Sequence, residues 1–569
     1  MGQLRIRLSF AVQLGLAFSA AAVVFLLLRT SDYLGVDGAL RALQIYDLGR
    51  PFLHPNNHLL YPVNVYAWSV FMGWIGIHPK DPLAFLAIAQ AMNGFAAAGF
   101  LTILYALLYK LTGRAAIACF TTIGYGLSRA FLAHATSSAE PMVGLFDSGV
   151  SVMLALYGVT QNRVWACIAG GATLALAMAT YQSMVLIGPA LVLLISRWPN
   201  HQTENRFVGR LLLVLGLAIG LILGVVIVFG TAYSWAGAHS ATDVYHKFRE
   251  TEPALQQNGG LQLVRTASML AGLAYAAFPC LPRECSGFRC LGSAEYHSWI
   301  TIAALAIVVT GTWLFALIGF TKKLWVHMVQ HERVAFTSCV LAFVLSAMPL
   351  AWWLPTYDKL WLQPLACLFL ITGIIVHVAL RAMDSMKIPG ARYFVPSCAA
   401  ALALIIIPNT VKALWINARP APYIAQARQV AALVKPEDLL VGDWDPIFLL
   451  YQALWGSRAD IFNVPTQAIH IGARTVSDLR QTVIRAEERG GNVFFLGLLD
   501  VPEPEWKLAF EGRELPYGAF ESYRRNADAV ESFRNDKRVI TLRRFATSSV
   551  PGGPAHYPIR AQRVRLGAR

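Results

Sequence analysis

The chain has 569 residues, of which 56% are hydrophobic and only 14% charged, with a mean hydropathy of +0.50. That balance excludes an ordinary soluble protein. The formal charge of +15 does not indicate a nucleic-acid partner, because much of it lies in short loops between apolar runs and the rest in a basic tail.

Apolar runs recur at the length that crosses a bilayer, about 20 residues. The first, residues 8–28, is charge-free between Arg7 and Arg29. No cleavable signal pattern precedes it, so it is expected to stay as an anchor. Further spans are expected at 83–108, 115–133, 141–160, 164–180, 183–196, 211–231, 298–320, 334–355, 360–380 and 393–413, about 11 in all. Polar residues at 180–183 divide the fifth from the sixth, and Gly188–Pro189 is expected to kink the sixth.

Orientation follows from the basic residues. One set of short loops carries Arg5, Arg7, Lys110, Arg114, Arg163, Arg197, Arg206, Arg210, Lys322, Lys323, Arg333, Arg381, Lys387 and Arg392. The opposite loops at 134–140 and 181–183 carry none, and 356–359 carries one. By the positive-inside rule the N-terminus is cytoplasmic. The outer loops 29–82 and 232–297 and the C-terminal region then share the outer side. The 14-residue apolar stretch 266–279 is expected in the interface rather than across it.

Within the first outer loop, 38–48 reads as an amphipathic helix. Asp37, Arg41 and Gln44 line one face, opposite Leu40, Leu43 and residues 46–48. A second helix at 61–76 carries Tyr66, Trp68 and Trp74, an aromatic enrichment suited to headgroup level.

Three cysteines (Cys280, Cys285, Cys290) cluster in the later outer loop, without a CxxC pair. One disulfide with a spare thiol suits that location better than zinc. From about residue 418 the pattern changes. LLVGDWD, ADIFNVP and NVFFLGLLD alternate with helical DPIFLLYQALWG and TVSDLRQTVIRAEERGG, and RVITLRRF follows. Residues 418–547 are therefore expected to form an extracytoplasmic α/β domain with a partly parallel sheet, followed by a basic tail at 548–569.

No P-loop, HExxH or GxSxG occurs, so chemistry is sought among the acids and cations of the outer side. Asp37 fits a general base for an acceptor hydroxyl. It equally fits an N-cap of helix 38–48 with an ion pair to Arg41. Asp32 is a weaker alternative of the same kind. His54, His58 and Tyr61 sit in and after the turn HPNNHLLYP, where two histidines four apart suit a divalent metal, contact with a substrate, or plain solvation. In HATSSAEPM, Glu140 opens the fourth span, with Arg129 before it and Asp147 two turns deeper. An Arg129–Asp147 pair stapling two helices and a dipole-complementing Glu140 are the structural alternatives. Lys359, in WWLPTYDKLW, suits a lipid phosphate or a snorkelling interfacial cation.

Together these residues resemble the membrane glycosyltransferases of the GT-C superfamily, which include protein mannosyltransferases and lipid A aminoarabinose transferases. The resemblance lies in Asp37 near the start of the first outer loop, a helix to Gly49, and the His54–Pro55 turn. It continues in the helix PVNVYAWSVFMGW, Glu140 in SSAEPM, and the run LAMATYQSMVLIGPALVLL. It covers roughly residues 1–200 well and the later spans as architecture. HPNNH stands where a HPPG-type turn is the family habit, and Asp37–Gly38 where many relatives have Asp-Glu. The resemblance implies a polyprenyl-phosphate sugar donor and a glycan, lipid or protein acceptor, with no nucleotide-sugar site inside. Asp37 would deprotonate the acceptor and Lys359 or Arg129 would stabilise the leaving phosphate. A bacterial inner membrane is the expected location. The alternative is a lipid or glycan flippase, which would favour paired charges near the midplane and repeated halves; the acids here crowd the outer face.

Overall fold

The computed structural model describes residues 9–29, 36–51, 58–199, 206–235, 324–352, 358–385, 422–443, 446–455, 459–465, 474–504, 515–534 and 539–545, with isolated positions elsewhere. It divides into two compact units, Met1–Ile424 and Ala425–Arg569.

The first unit is helical. In chain order its described helices are α1 (Phe10–Leu27), α2 (Val36–Leu48), α3 (Tyr61–Trp74), α4 (Pro82–Thr112), α5 (Ala115–Gly126), α6 (Arg129–Ala135) and α7 (Pro141–Gln161). They continue with α8 (Val164–Thr180), α9 (Gly188–Arg197), α10 (Arg206–Trp235), α11 (Gln330–Trp352) and α12 (Asp358–Ser385). Among the described residues six helices are long and apolar enough to cross a membrane, and the chain is a multi-pass membrane protein. Val226 and Ile227 on α10 are more than 60% exposed, as an apolar face turned to lipid is.

Four expectations change. The span expected at 115–133 is broken: α5 and α6 meet at a 70° bend. The run expected at 164–180 is α8 with those bounds, but the one expected at 183–196 opens as a 3-10 turn over Gln182–Ile187 and becomes α-helical only from Gly188. Pro189 does not kink a helix; it lies in the first turn of α9, where its missing N–H costs nothing. Leu48, expected on the apolar side of its helix, is exposed, and Ala39, Ala42, Leu43 and Ile45 form the buried stripe. The spans expected at 298–320 and 393–413, the stretch 266–279 and the cysteine loop lie almost wholly outside the described residues.

The bundle packs on α4. Asp81 caps it, accepting from the Ala84 amide at 2.8 Å, and Pro82 starts it. Both faces are buried for most of its length. α8 and α10 approach so closely that a side chain at Gly220 would collide with the Ile168 carbonyl, the small-residue packing that membrane helices use. α7 and α8 are tied by Ser151 Oγ, which donates to the Gly170 carbonyl at 2.7 Å.

The second unit holds a five-stranded sheet in the order β2-β1-β3-β5-β4. β1 (Leu439–Gly442) runs parallel to both β2 (Asp460–Asn463) and β3 (Val493–Leu496). β5 (Val539–Phe545) returns antiparallel beside β3, and β4 (Ala527–Arg534) pairs with β5 at the edge. Helices α13 (Pro422–Leu433), α14 (Pro446–Trp455), α15 (Thr475–Glu488) and α16 (Glu521–Asn526) accompany the strands; α13 starts before the division between the units. β1 and β3 are buried throughout, as central parallel strands are. At the start of β1, the Asp438 carboxylate accepts from the amides of Lys435 and Asn492 at 2.7 and 2.6 Å.

Candidate active site

The site is built around the segment between α6 and α7, residues 136–140. The sequence suggests an outward-facing loop; instead Thr136, Ser137, Ser138, Ala139 and Glu140 are each no more than 3% exposed. A buried loop needs partners for its backbone, and two side chains supply them. Asn93 Nδ2 donates to the carbonyls of Ser137 and Ala139, at 2.8 and 2.6 Å. Tyr61 donates its hydroxyl to the Ser138 carbonyl at 2.5 Å. Asn93 lies eleven residues into α4, roughly 16 Å along the helix, so the loop dips well below the start of that span.

Helix α2 meets the same loop. A β-carbon on Gly38 would overlap the Ser138 carbonyl, and it would also lie 3.2 Å from the Tyr61 hydroxyl. Asp37 is the preceding residue, in the first turn of α2. The helix starts at Val36, so Asp37 is not the N-cap that spacing allowed. Asp37–Gly38 in place of Asp-Glu has a physical reason: no larger residue fits at 38 against this loop.

Glu140 immediately precedes α7 and makes no capping hydrogen bond. Its Oε2 lies 3.7 Å from Lys359 Nζ, with the two side chains 1% and 10% exposed. Lys359 is in the first turn of α12, a turn anchored from two sides. Tyr125, at the end of α5, donates to the Leu362 carbonyl at 2.8 Å. Gln363 Nε2 donates to the Met184 carbonyl, in the turn between α8 and α9, at 3.3 Å. Residues 219 positions apart in sequence are thereby held as a buried ion pair.

The histidine turn is only half described. His58 has φ of +50°, is buried, and stacks on Tyr181 with ring centroids 5.2 Å apart and planes 4° apart. The Leu60 amide donates to the Ala179 carbonyl at 3.1 Å, which docks the start of α3 on the end of α8. His54, Asp32 and the Asp37 side chain lie outside the described residues. Arg129 opens α6 and is half-buried. Among the described residues no ion pair joins Arg129 to Asp147, so the stapling alternative is not what the fold uses. No three His, Cys, Asp or Glu side chains among the described residues come together as a metal site.

Tyr61, expected at a substrate, is wholly buried with its hydroxyl committed to Ser138. Burial, and next the nearby Glu140 charge, hold the phenol well above its ordinary pKa, against a hydrogen bond with Asn93 that lowers it. Sequence reasoning missed Asn93, Gly38 and Gln363. The signal was present for Asn93: an amide deep in an apolar span must find partners or cost free energy.

No protein-family model matches the chain, and neither does any curated protein. Among solved structures, it is similar to ArnT from Cupriavidus metallidurans bound to undecaprenyl phosphate. The TM-score is 0.53 at 14% identity, over 94% of this chain and 98% of that one. It is also similar to the apo oligosaccharyltransferase of Archaeoglobus fulgidus, with TM-score 0.51 and 10% identity, over 90% of this chain and 72% of that one. AglB from the same archaeon, in complex with an inhibitory peptide and a dolichol-phosphate, gives TM-score 0.50 and 11% identity, over 95% and 75%. The chain thus shares the fold of these solved structures.

Proposed function

We propose that the chain is a membrane glycosyltransferase that moves a sugar from a polyprenyl-phosphate carrier to an extracytoplasmic acceptor. The acceptor hydroxyl oxygen attacks the anomeric carbon in line and inverts it. The bond from that carbon to the phosphate oxygen breaks, its electron pair leaves with the phosphate, and Asp37 takes the hydroxyl proton. Lys359 and the positive end of α12 stabilise the departing phosphate. Glu140, Arg129, His54, His58 and Asp32 belong to the surrounding site, and Tyr61 holds its floor.

The observation that carries this reading is the meeting of α2, which bears Asp37, with the loop that bears Glu140 and, through Glu140, Lys359. The candidate base thus stands on a helix that touches this loop, and the candidate phosphate cation pairs with the residue that ends it. The fold likeness supports it, since one relative is bound to undecaprenyl phosphate and another to dolichol-phosphate and a peptide. The carrier cannot leave the bilayer, so the reaction belongs beside the membrane surface. The Lys/Arg asymmetry supports a cytoplasmic N-terminus, with residues 418–547 on the extracytoplasmic side of the membrane.

The test is Asp37→Asn, with surface glycans of a strain carrying it compared with those of the wild type and of a deletion strain. Loss of the glycan with normal membrane insertion is expected. Retained glycan would reject Asp37 as the base.

A further inference from the structure

We infer that Glu140 is a fixed counter-charge that makes the site disfavour the spent carrier relative to the sugar-loaded one; this rests on Lys359 being the phosphate's partner. The two carriers differ in charge. The loaded carrier is a phosphodiester with a single negative charge. Transfer breaks the sugar–oxygen bond and leaves a phosphomonoester, which holds about 1.5 to 2 negative charges at neutral pH. An anion fixed near the phosphate therefore repels the product more than the donor.

The geometry makes Glu140 such an anion. The loop before it is held by two hydrogen bonds from Asn93 and one from Tyr61, and its side chain is 1% exposed. It has little freedom to withdraw when a phosphate arrives. The Lys359 ammonium is 3.7 Å from Glu140 Oε2, beyond hydrogen-bond range. A lysine on a four-carbon stem turns toward an arriving phosphate without breaking a hydrogen bond to Glu140. Because both groups are buried, bulk water and salt screen the three-charge arrangement weakly.

Lys359 and Glu140 then act on the carrier's charge with opposite sign. The cation favours the more highly charged monoester and the carboxylate disfavours it. Two outcomes follow: the loaded carrier is accepted despite a nearby anion, and the spent carrier is released despite a nearby cation.

The experiment measures the affinities of farnesyl phosphate and of its methyl diester for the purified full chain in lipid nanodiscs at pH 7.5, each variant serving as its own reference. Glu140→Gln is expected to shift the ratio of affinities toward the monoester by about tenfold, and Lys359→Gln to shift it the other way. A ratio in Glu140→Gln equal to that of the wild type, or moved toward the diester, overturns the proposal. If Lys359→Gln leaves both affinities unchanged, the phosphate does not bind at Lys359 and the functional reading beneath the proposal falls instead. Should Glu140→Gln not fold, Glu140→Asp retracts the charge by one methylene. It is expected to shift the ratio toward the monoester by less, and no shift would overturn the proposal.

Discussion

The Tyr61 hydroxyl donates to the Ser138 carbonyl at 2.5 Å, across 77 residues of sequence. With the two bonds from Asn93, it satisfies three successive carbonyls of a buried segment that no helix or sheet ladder reaches. Tyr61→Phe removes one donor and leaves a buried carbonyl unpaired, at a cost of about 1–3 kcal/mol. Asn93→Leu removes two and is expected to cost more. Thermal unfolding in detergent should rank the variants wild type, Tyr61→Phe, Asn93→Leu, with sugar transfer falling in the same order.

Gly38→Ala tests the contact between α2 and the same loop. The added methyl meets the Ser138 carbonyl, and the helix or the loop must yield. Overpacking of this kind costs about 1–3 kcal/mol. Transfer activity should fall further than stability does, because the displaced helix carries Asp37. Equal activity after correction for folded protein would show that α2 does not set the geometry of the site.

Lys359→Met removes the cation in the first turn of α12. If it stabilises the departing phosphate, the rate constant for transfer should fall about 100-fold. Lys359→Arg should recover only part of it, because a planar fork does not replace a compact ammonium in a buried space. Steady-state kinetics on detergent-solubilised enzyme would measure both.

At the far end of α12 a second ionic cluster, built on a buried carboxylate, ties that helix to α11. Arg381 donates to both carboxylate oxygens of Glu332, at 2.8 and 2.7 Å, and His377 Nε2 lies 3.2 Å from Oε1. The Val329 amide adds a bond at 2.9 Å. Arg381 is 36% exposed and also donates to the His327 carbonyl, so water softens the loss, and Glu332→Ala is expected to destabilise the protein by about 1–3 kcal/mol. A lowered unfolding temperature, with the relative affinities for the two carrier phosphates unchanged, would separate this structural clamp from the Glu140–Lys359 pair.

In the second unit, burial raises the pKa of Glu487 above its ordinary value, and its Oε1 has no hydrogen-bond partner. A folded-state pKa above the unfolded one means that the charged form costs stability. The cost is absent below the unfolded pKa and grows as pH rises through the folded one. Glu487→Gln should therefore raise the unfolding temperature at pH 7 to 8, with the gain shrinking as the pH is lowered through the usual carboxylate range and gone below it. Unfolding followed at several pH values checks the sign.

Much of the architecture was legible because it rests on local rules. Charge-free runs announce membrane helices wherever they are long enough to cross. The fully apolar LLVG, followed by a helical period, and VFFL, preceded by one, announce β1 and β3 of a parallel sheet. β4 was not legible: Ala527–Arg534 is poor in β-formers and is a strand only because β5 offers it an edge. The bend between α5 and α6 was missed for a related reason. The run is apolar enough to cross as one helix, and only the packing of its neighbours decides that it does not.

The sequence by itself determined the class of the protein, the chain's division into apolar and α/β regions, and the list of acids and cations from which a site could be made. Those properties depend on composition and short-range period. Tertiary structure alone decided that Gly38, Asn93 and Tyr61 converge on Ser137, Ser138 and Ala139, and that Glu140 faces Lys359 rather than capping its own helix. Such contacts join residues tens to hundreds of positions apart, and their partners are backbone carbonyls, which are identical at every position and leave no mark in the sequence.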